Sequence, residues 1–205
     1  MGKFIVFEGL DGSGKSSQIN ILADELRRRG EKVYVTAEPT DGETGRYLRR
    51  ILSQSLKKDM HLQAALFLAD RIEHITDPET GIKKYLDDGY TVLCDRYYYS
   101  SLSYQGKSGK CDFDWVFEMN MGCEKLLKPD ICFFLDVYPK TCKERIEETR
   151  DNVELYEKSI ELMSNTRCGF MEVFSLLEKE YGHNIVCIDA NDSIDNISKE
   201  IMKHV

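Results

Sequence analysis

The sequence predicts a doubly wound α/β fold, a five-stranded parallel sheet with helices on both faces, on three observations. Five short runs are apolar and rich in β-branched or aromatic residues without clean alternation, as strands buried on both faces of a parallel sheet require. Helix-length stretches separate them and give the β-α-β-α rhythm of such folds. Acidic residues (Glu8, Glu38, Asp95, Asp136 and Asp189) stand at or next to the C-terminal end of every run. That edge of an open α/β sheet is where ligands bind.

The first run, Phe4-Ile5-Val6-Phe7, leads into Gly9-Leu10-Asp11-Gly12-Ser13-Gly14-Lys15-Ser16, and an amphipathic stretch starts at Ser17. This is the phosphate-loop pattern G-x-x-x-x-G-K-[ST], set between a strand and a helix as its mechanism requires. Gly9, Gly12 and Gly14 let the backbone curl until several N–H groups point at one anion, and the following helix adds its positive end. Lys15 is suited to the β- and γ-phosphates and the Ser16 hydroxyl to Mg²⁺. The loop therefore predicts binding of a nucleoside triphosphate and narrows the fold to the P-loop NTPase type. Arg27-Arg28-Arg29 closes the first helix, where cations suit its dipole.

Between the second run, Val33–Thr36, and the third, Thr91–Cys94, residues 38–89 carry two or three helical segments, more than one crossover needs. In one of them Leu62, Leu66, Ala69 and Ile72 are expected to form the core stripe, with Phe67, Arg71 and His74 on another face. An aromatic ring beside a guanidinium suits a planar base, although a Phe at helical spacing is more often core. The third run ends in Asp95-Arg96-Tyr97-Tyr98-Tyr99-Ser100. Arg96 is a fork of donors matched to a second phosphate across the crevice from Lys15, and Asp95 is suited to orient it or to reach Mg²⁺ through water; the alternative is a purely structural Asp–Arg pair. After the fourth run, Ile131–Leu135, residues 139–182 form two charged helical stretches joined near Arg150-Asp151-Asn152, either a closing lid or a hairpin that only packs. Ile185–Ile188 is the fifth run. Because the phosphate loop holds no arginine, a further cation for phosphoryl transfer must come from Arg145, Arg150 or Arg167.

The 205 residues suit one domain, and 41% hydrophobic with 31% charged residues fits a globular protein. The formal net charge of −8 argues against nucleic-acid binding through a global basic field. Seven scattered cysteines without C-x-x-C, and four scattered histidines, indicate neither a zinc site nor a disulfide framework. Free thiols in a reducing cytoplasm are expected, with no targeting or membrane-spanning segment.

Six segments, in order, resemble the thymidylate kinase family: Phe7–Ser16, Glu38-Pro39-Thr40, Gly45–Arg49, Leu66–His74, Asp95–Gln105, and Pro129-Asp130 through Asp136-Val137. The resemblance spans nearly the whole chain and implies transfer of the γ-phosphoryl group of ATP to dTMP with Mg²⁺. It implies that Phe67 stacks on thymine, Arg71 bonds its carbonyl edge, and Ser101 and Gln105 add polar contacts. Tyr104 would pack against the deoxyribose, and Arg96, with Arg49 as a second cation, would hold the dTMP phosphate. Asp11 would act beside the transferred group through its position, and Glu38-Pro39, often cis in the family, would shape the acceptor site. Gly9 through Ser17 would bind ATP, and Ser16 with Asp95 the metal.

Gly12 aligns the chain with relatives that supply the catalytic cation from a lid, here about residues 139–155, with Arg150 preferred and Arg145 next. Ala190-Asn191-Asp192 is a candidate for adenine contacts. The family is generally homodimeric, so a homodimer is expected. The alternatives are kinases of dUMP, another pyrimidine monophosphate or a nucleoside, and a weakly catalytic nucleotide-binding regulator. Arg96 argues against a nucleoside acceptor; intact Lys15, Ser16, Asp11 and Asp95 argue against the regulator.

Overall fold

A computed structural model describes residues 2–149, 156 and 159–205. All five expected runs are strands: β1 (Phe4–Glu8), β2 (Val33–Ala37), β3 (Thr91–Asp95), β4 (Ile131–Asp136) and β5 (Ile185–Asp189). They form one parallel sheet in the order β2-β3-β1-β4-β5. Every residue of β1 is buried, because alternate side chains enter two separate cores. Phe4 and Val6 join Val92, Cys94, Cys132 and Phe134 on one face. Ile5 and Phe7 join Leu93, Phe133 and Leu135 on the other. Two apolar faces erase the period-two signal that a half-exposed strand would show.

The helices divide between those faces. Helix α1 (Lys15–Arg28) and helix α9 (Ile194–Met202) cover the second core. The first core lies under α3 (Met60–Thr76), α4 (Ile82–Asp87), α5 (Tyr98–Ser101), α6 (Phe113–Met121) and α8 (Ile160–Tyr181). Helix α2 (Glu43–Leu52) packs on α3, and α7 (Pro139–Thr149) packs on α8. Residues 38–89 thus hold three helices. Leu102–Lys107, directly after α5, forms a π-helical turn, a wider winding that recurs at functional sites.

One expectation fails. Leu62, Leu66, Ala69 and Ile72 do not form the core stripe of α3: Leu62 and Ala69 are exposed, and Leu66 and Ile72 half-buried. Its inward face instead carries Gln63, Ala64, Asp70, Arg71, His74 and Ile75. Four of those six are polar, and each finds partners inside, so apolar periodicity pointed at the wrong face.

The acidic strand ends converge at one edge. Glu8, Asp95, Asp136 and Asp189 are the last residues of their strands, and Asp95 pairs in register with both Phe7 and Ala37. The phosphate loop leaves the central strand β1 in the middle of this edge.

Candidate active site

Helix α1 starts at Gly14, in the left-handed region at φ 92°, with no side chain capping its first N–H groups. Those donors are left for an anion. Lys15 is buried and donates from Nζ to the carbonyls of Gly9 (3.3 Å) and Leu10 (3.1 Å). Burial, aided by the nearby Arg96 guanidinium, lowers its pKa, against the pull of Asp95 and Asp11. Gly12 has φ +78°, and a Cβ there would lie 2.5 Å from the Cys142 carbonyl oxygen of α7. The close approach of α7 leaves position 12 no room for a side chain unless α7 shifts.

Arg96 follows β3 with φ +69°, a left-handed conformation held by a full set of partners. Its Nη1 donates to the Gly9 carbonyl and to Ser100 Oγ, both at 3.1 Å, and Nη2 donates to Asp11 Oδ1 at 2.7 Å. Its guanidinium lies over the Tyr104 ring, 5.3 Å from the centroid. Beneath it Glu8 is fully buried. The Glu8 carboxyl accepts from the backbone N–H groups of Tyr97 (2.9 Å) and Ser100 (3.1 Å), and its other oxygen sits 2.6 Å from Ser100 Oγ. Burial raises the Glu8 pKa to about 7, although Arg96 and these hydrogen bonds oppose it.

Asp95 sits between the two cationic groups. Its Oδ2 accepts from Ser16 Oγ at 3.0 Å. Its Oδ1 is buried without a hydrogen-bond partner, 3.9 Å from Lys15 Nζ. A hydroxyl and an under-used carboxylate oxygen at the loop fit a hard, oxygen-seeking cation that draws its remaining ligands from water and phosphate.

At the far end, Arg71 is buried on α3 and spends its donors on three partners: Glu38 (2.8 Å), Asn120 Oδ1 (2.7 Å) and Ser101 Oγ (3.2 Å). Glu38 also meets His74 Nδ1 at 3.2 Å, and His74 Nε2 meets Thr36 Oγ1 at 2.6 Å. The Glu38–Pro39 peptide is cis. Asp70 is fully buried and accepts from the Thr40 amide at 2.9 Å and from its hydroxyl, which fixes the loop after β2. Arg49 reaches back to the Pro39 carbonyl and to Asp41.

The two ends open on one cavity of about 460 Å³. Of the sequence-predicted residues it gathers Asp11, Gly12, Gly14, Lys15, Ser16, Ser17, Glu38, Pro39, Arg49, Phe67, Arg71, Asp95, Arg96, Ser101, Tyr104 and Gln105. Gly9 and Leu10 do not line it but hold Lys15 through their carbonyls, and Ser13 is buried. Among the lid cations, Arg145 lines the cavity and donates to the Gly12 carbonyl at 3.3 Å. Arg167 is held away in a two-pronged pair with Asp136 at 2.6 Å. Arg150 lies outside the described residues. His74 faces a neighbouring groove of about 570 Å³ beside β2, not this cavity. Asn191 bonds the Tyr138 amide and Asp189, at the start of α7.

A family model for thymidylate kinase matches residues 7–201. The chain belongs to the thymidylate kinase family. It is 35% identical over 206 residues to a probable thymidylate kinase of Pyrococcus horikoshii, covering 98% of this chain and 94% of that one. A thymidylate kinase of Caldicellulosiruptor saccharolyticus is 34% identical over 203 residues, at 98% and 95% coverage. A probable thymidylate kinase of Methanococcus aeolicus is 36% identical over 205 residues, at 99% and 95%.

Family-level motifs miss some of the residues that build the cavity. Glu8 was visible only as a strand-end acid. Asn120 and Gln63 carry no local signal, since each matters through a partner at least thirty residues away. Tyr156 also lines the cavity, its ring edge-on to Tyr104 at 4.9 Å. On α3 the Phe67–Arg71 pair was the signal that the helix serves a site as well as a core.

Proposed function

We propose that the chain transfers the γ-phosphoryl group of ATP to dTMP, giving dTDP and ADP. The observation that carries this reading is a single cavity with a phosphate loop at one end, the phosphate-sized fork of Arg96 beside it, and the Phe67–Arg71 pair at the other. Such a cavity suits two phosphate chains meeting head to head and one planar base.

In this reading the loop amides and Lys15 cradle the ATP phosphates, while Arg96, with Arg49, grips the acceptor phosphate. Asp11, between Arg96 and the loop, aligns that phosphate for in-line attack. Ser16 and Asp95 would hold Mg²⁺, whose chemistry when bound is to neutralise charge on the phosphate oxygens. Arg145, and Arg150 beyond it, bring the positive charge that Gly12 cannot, from a lid of about residues 139–155 within one catalytic unit. Phe67 stacks on the base, Arg71 donates to its O4, and Tyr104 packs on a sugar lacking a 2′-hydroxyl.

We further propose a homodimer, supported by the outward apolar stripe Leu62, Leu66, Ala69 and Ile72 of α3, where 41% of Leu62 remains exposed. A cytoplasmic setting is supported by seven free cysteines, and no helix among the described residues is long and apolar enough to cross a membrane.

A coupled assay for ADP with a panel of nucleoside monophosphates tests the central claim. The expected result is the highest kcat/KM with dTMP. A higher value for another monophosphate or for thymidine overturns it.

A further inference from the structure

Four groups from three parts of the chain form a hydrogen-bonded line that ends at the cavity, which Tyr156 and Gln105 line. Gln63, buried on α3, donates from Nε2 to the Lys58 carbonyl at 3.0 Å. A carbonyl can only accept, so this bond fixes which way the Gln63 amide faces and turns its Oε1 toward Tyr156. The Tyr156 hydroxyl donates to that oxygen at 3.3 Å. Gln105 Nε2, from the π-helical turn, lies 3.0 Å from the same hydroxyl. Burial lifts the Tyr156 pKa to about 12, so the phenol keeps its proton at neutral pH.

A phenol has one proton to give. With that proton committed to Gln63, the hydroxyl can only accept from Gln105, and the Gln105 amide must turn its NH₂ toward Tyr156. Its Oε1 accepts from none of the described residues. It is also not among the buried polar atoms left without a partner, which are Ser13 Oγ, Gln18 Oε1 and Asp95 Oδ1. It is therefore the edge that Gln105 offers to the cavity it lines.

We propose that Gln63 and Tyr156 are specificity-determining residues that lock the Gln105 amide with its oxygen toward the base, so that the site accepts a pyrimidine with an N3–H donor and rejects cytosine. This rests on the dTMP kinase reading above. The Arg71 guanidinium, which lines the same cavity, presents only donors. Donor and acceptor together match O4 and N3–H of thymine or uracil. Cytosine reverses both, with an NH₂ at C4 and a lone pair at N3, and meets like against like at two positions. The 5-methyl group plays no part, so the lock does not separate thymine from uracil.

The test measures kcat/KM for dTMP, dUMP and dCMP in the full-length protein and in Tyr156→Phe, Gln63→Leu and the double variant. Ratios within one preparation cancel any loss of folded protein. In Tyr156→Phe the amide loses its partner; in Gln63→Leu the phenol is freed to donate to Gln105 and flip it. Each single variant should lower the dTMP:dCMP ratio by about tenfold or more, at the low end of what a mispaired buried polar group costs. The dTMP:dUMP ratio should stay within about twofold. Because the two act in series, the double variant should match either single one. An unchanged dTMP:dCMP ratio, dCMP turnover undetectable throughout, or equal losses for dUMP and dCMP each overturns the lock. Failure of the unmodified protein to phosphorylate dTMP overturns the underlying reading instead.

Discussion

Glu8 sits fully buried beneath Arg96, and burial raises its pKa from 4.5 to about 7. The folded protein therefore holds a proton on Glu8 across a pH range where the unfolded chain has released it. Stability from this group is fully present below pH 4.5 and is lost as pH rises through 7. About 2.5 decades of proton affinity, at about 1.4 kcal/mol per decade, amount to about 3 kcal/mol. Glu8→Gln keeps an oxygen for the Tyr97 and Ser100 amides and places an NH₂ where the protonated oxygen meets Ser100 Oγ, so it mimics the neutral acid at every pH. Urea unfolding from pH 5 to 8.5 gives the measurement. The two proteins should be close in stability at pH 5. By pH 8 to 8.5 the variant should be the more stable by a sizeable part of that 3 kcal/mol, with the difference growing most steeply near pH 7. Parallel curves would mean that Glu8 is ionised throughout, sustained by Arg96 4.0 Å away, and would refute the reasoning.

Arg96→Ala leaves the acceptor phosphate without its fork and should lower kcat/KM for dTMP by about 2–5 kcal/mol in transition-state terms; steady-state kinetics with a near-normal value would remove Arg96 from the site. Arg145→Ala should depress kcat far more than it raises KM for dTMP, while Arg167→Ala, whose side chain is already committed to Asp136, should do so less; equal kcat losses would argue against a special role for Arg145. Gly12→Ala forces a Cβ to 2.5 Å from the Cys142 carbonyl at a positive φ. It should cost roughly 1–3 kcal/mol of stability, read as a lowered melting temperature, and an unshifted transition would show that α7 yields freely.

The sheet was legible because its chemistry is local: runs buried on two faces stay apolar at every position, and all five strands stand where those runs are. The phosphate loop was legible for the same reason, since Gly9 to Ser16 carry their function within eight consecutive residues. Helix α3 shows the limit. Its apolar stripe is the outward face, while Asp70, Arg71 and His74 go inward to partners on the loop after β2, on β2 itself and on α6. A periodicity argument sees only the helix. It cannot know that Glu38 and Asn120, thirty-three and forty-nine residues away, wait to satisfy Arg71. For the lid, packing of α7 against Gly12 brings Arg145 to the cavity, a long-range contact that no local signal carries, while Arg150 lies outside the described residues.

The three cations that the proposed reading assigns to phosphate all rest on protein oxygen. Lys15 holds the Gly9 and Leu10 carbonyls, Arg96 holds Asp11 and Gly9, and Arg145 holds the Gly12 carbonyl. Burying these charges unpaired would cost several kcal/mol each, so the loop supplies its own acceptors. Substrate binding is then an exchange of partners, and its strength is the difference between phosphate and carbonyl or carboxylate as acceptor. The exchange favours phosphate more at Lys15, whose hydrogen-bond partners are uncharged carbonyls, with the Asp95 carboxylate 3.9 Å away, and whose charge burial disfavours. It favours phosphate less at Arg96, which already holds a carboxylate. In the proposed reading, Asp11 weakens the grip of Arg96 on the acceptor phosphate while keeping the fork aimed.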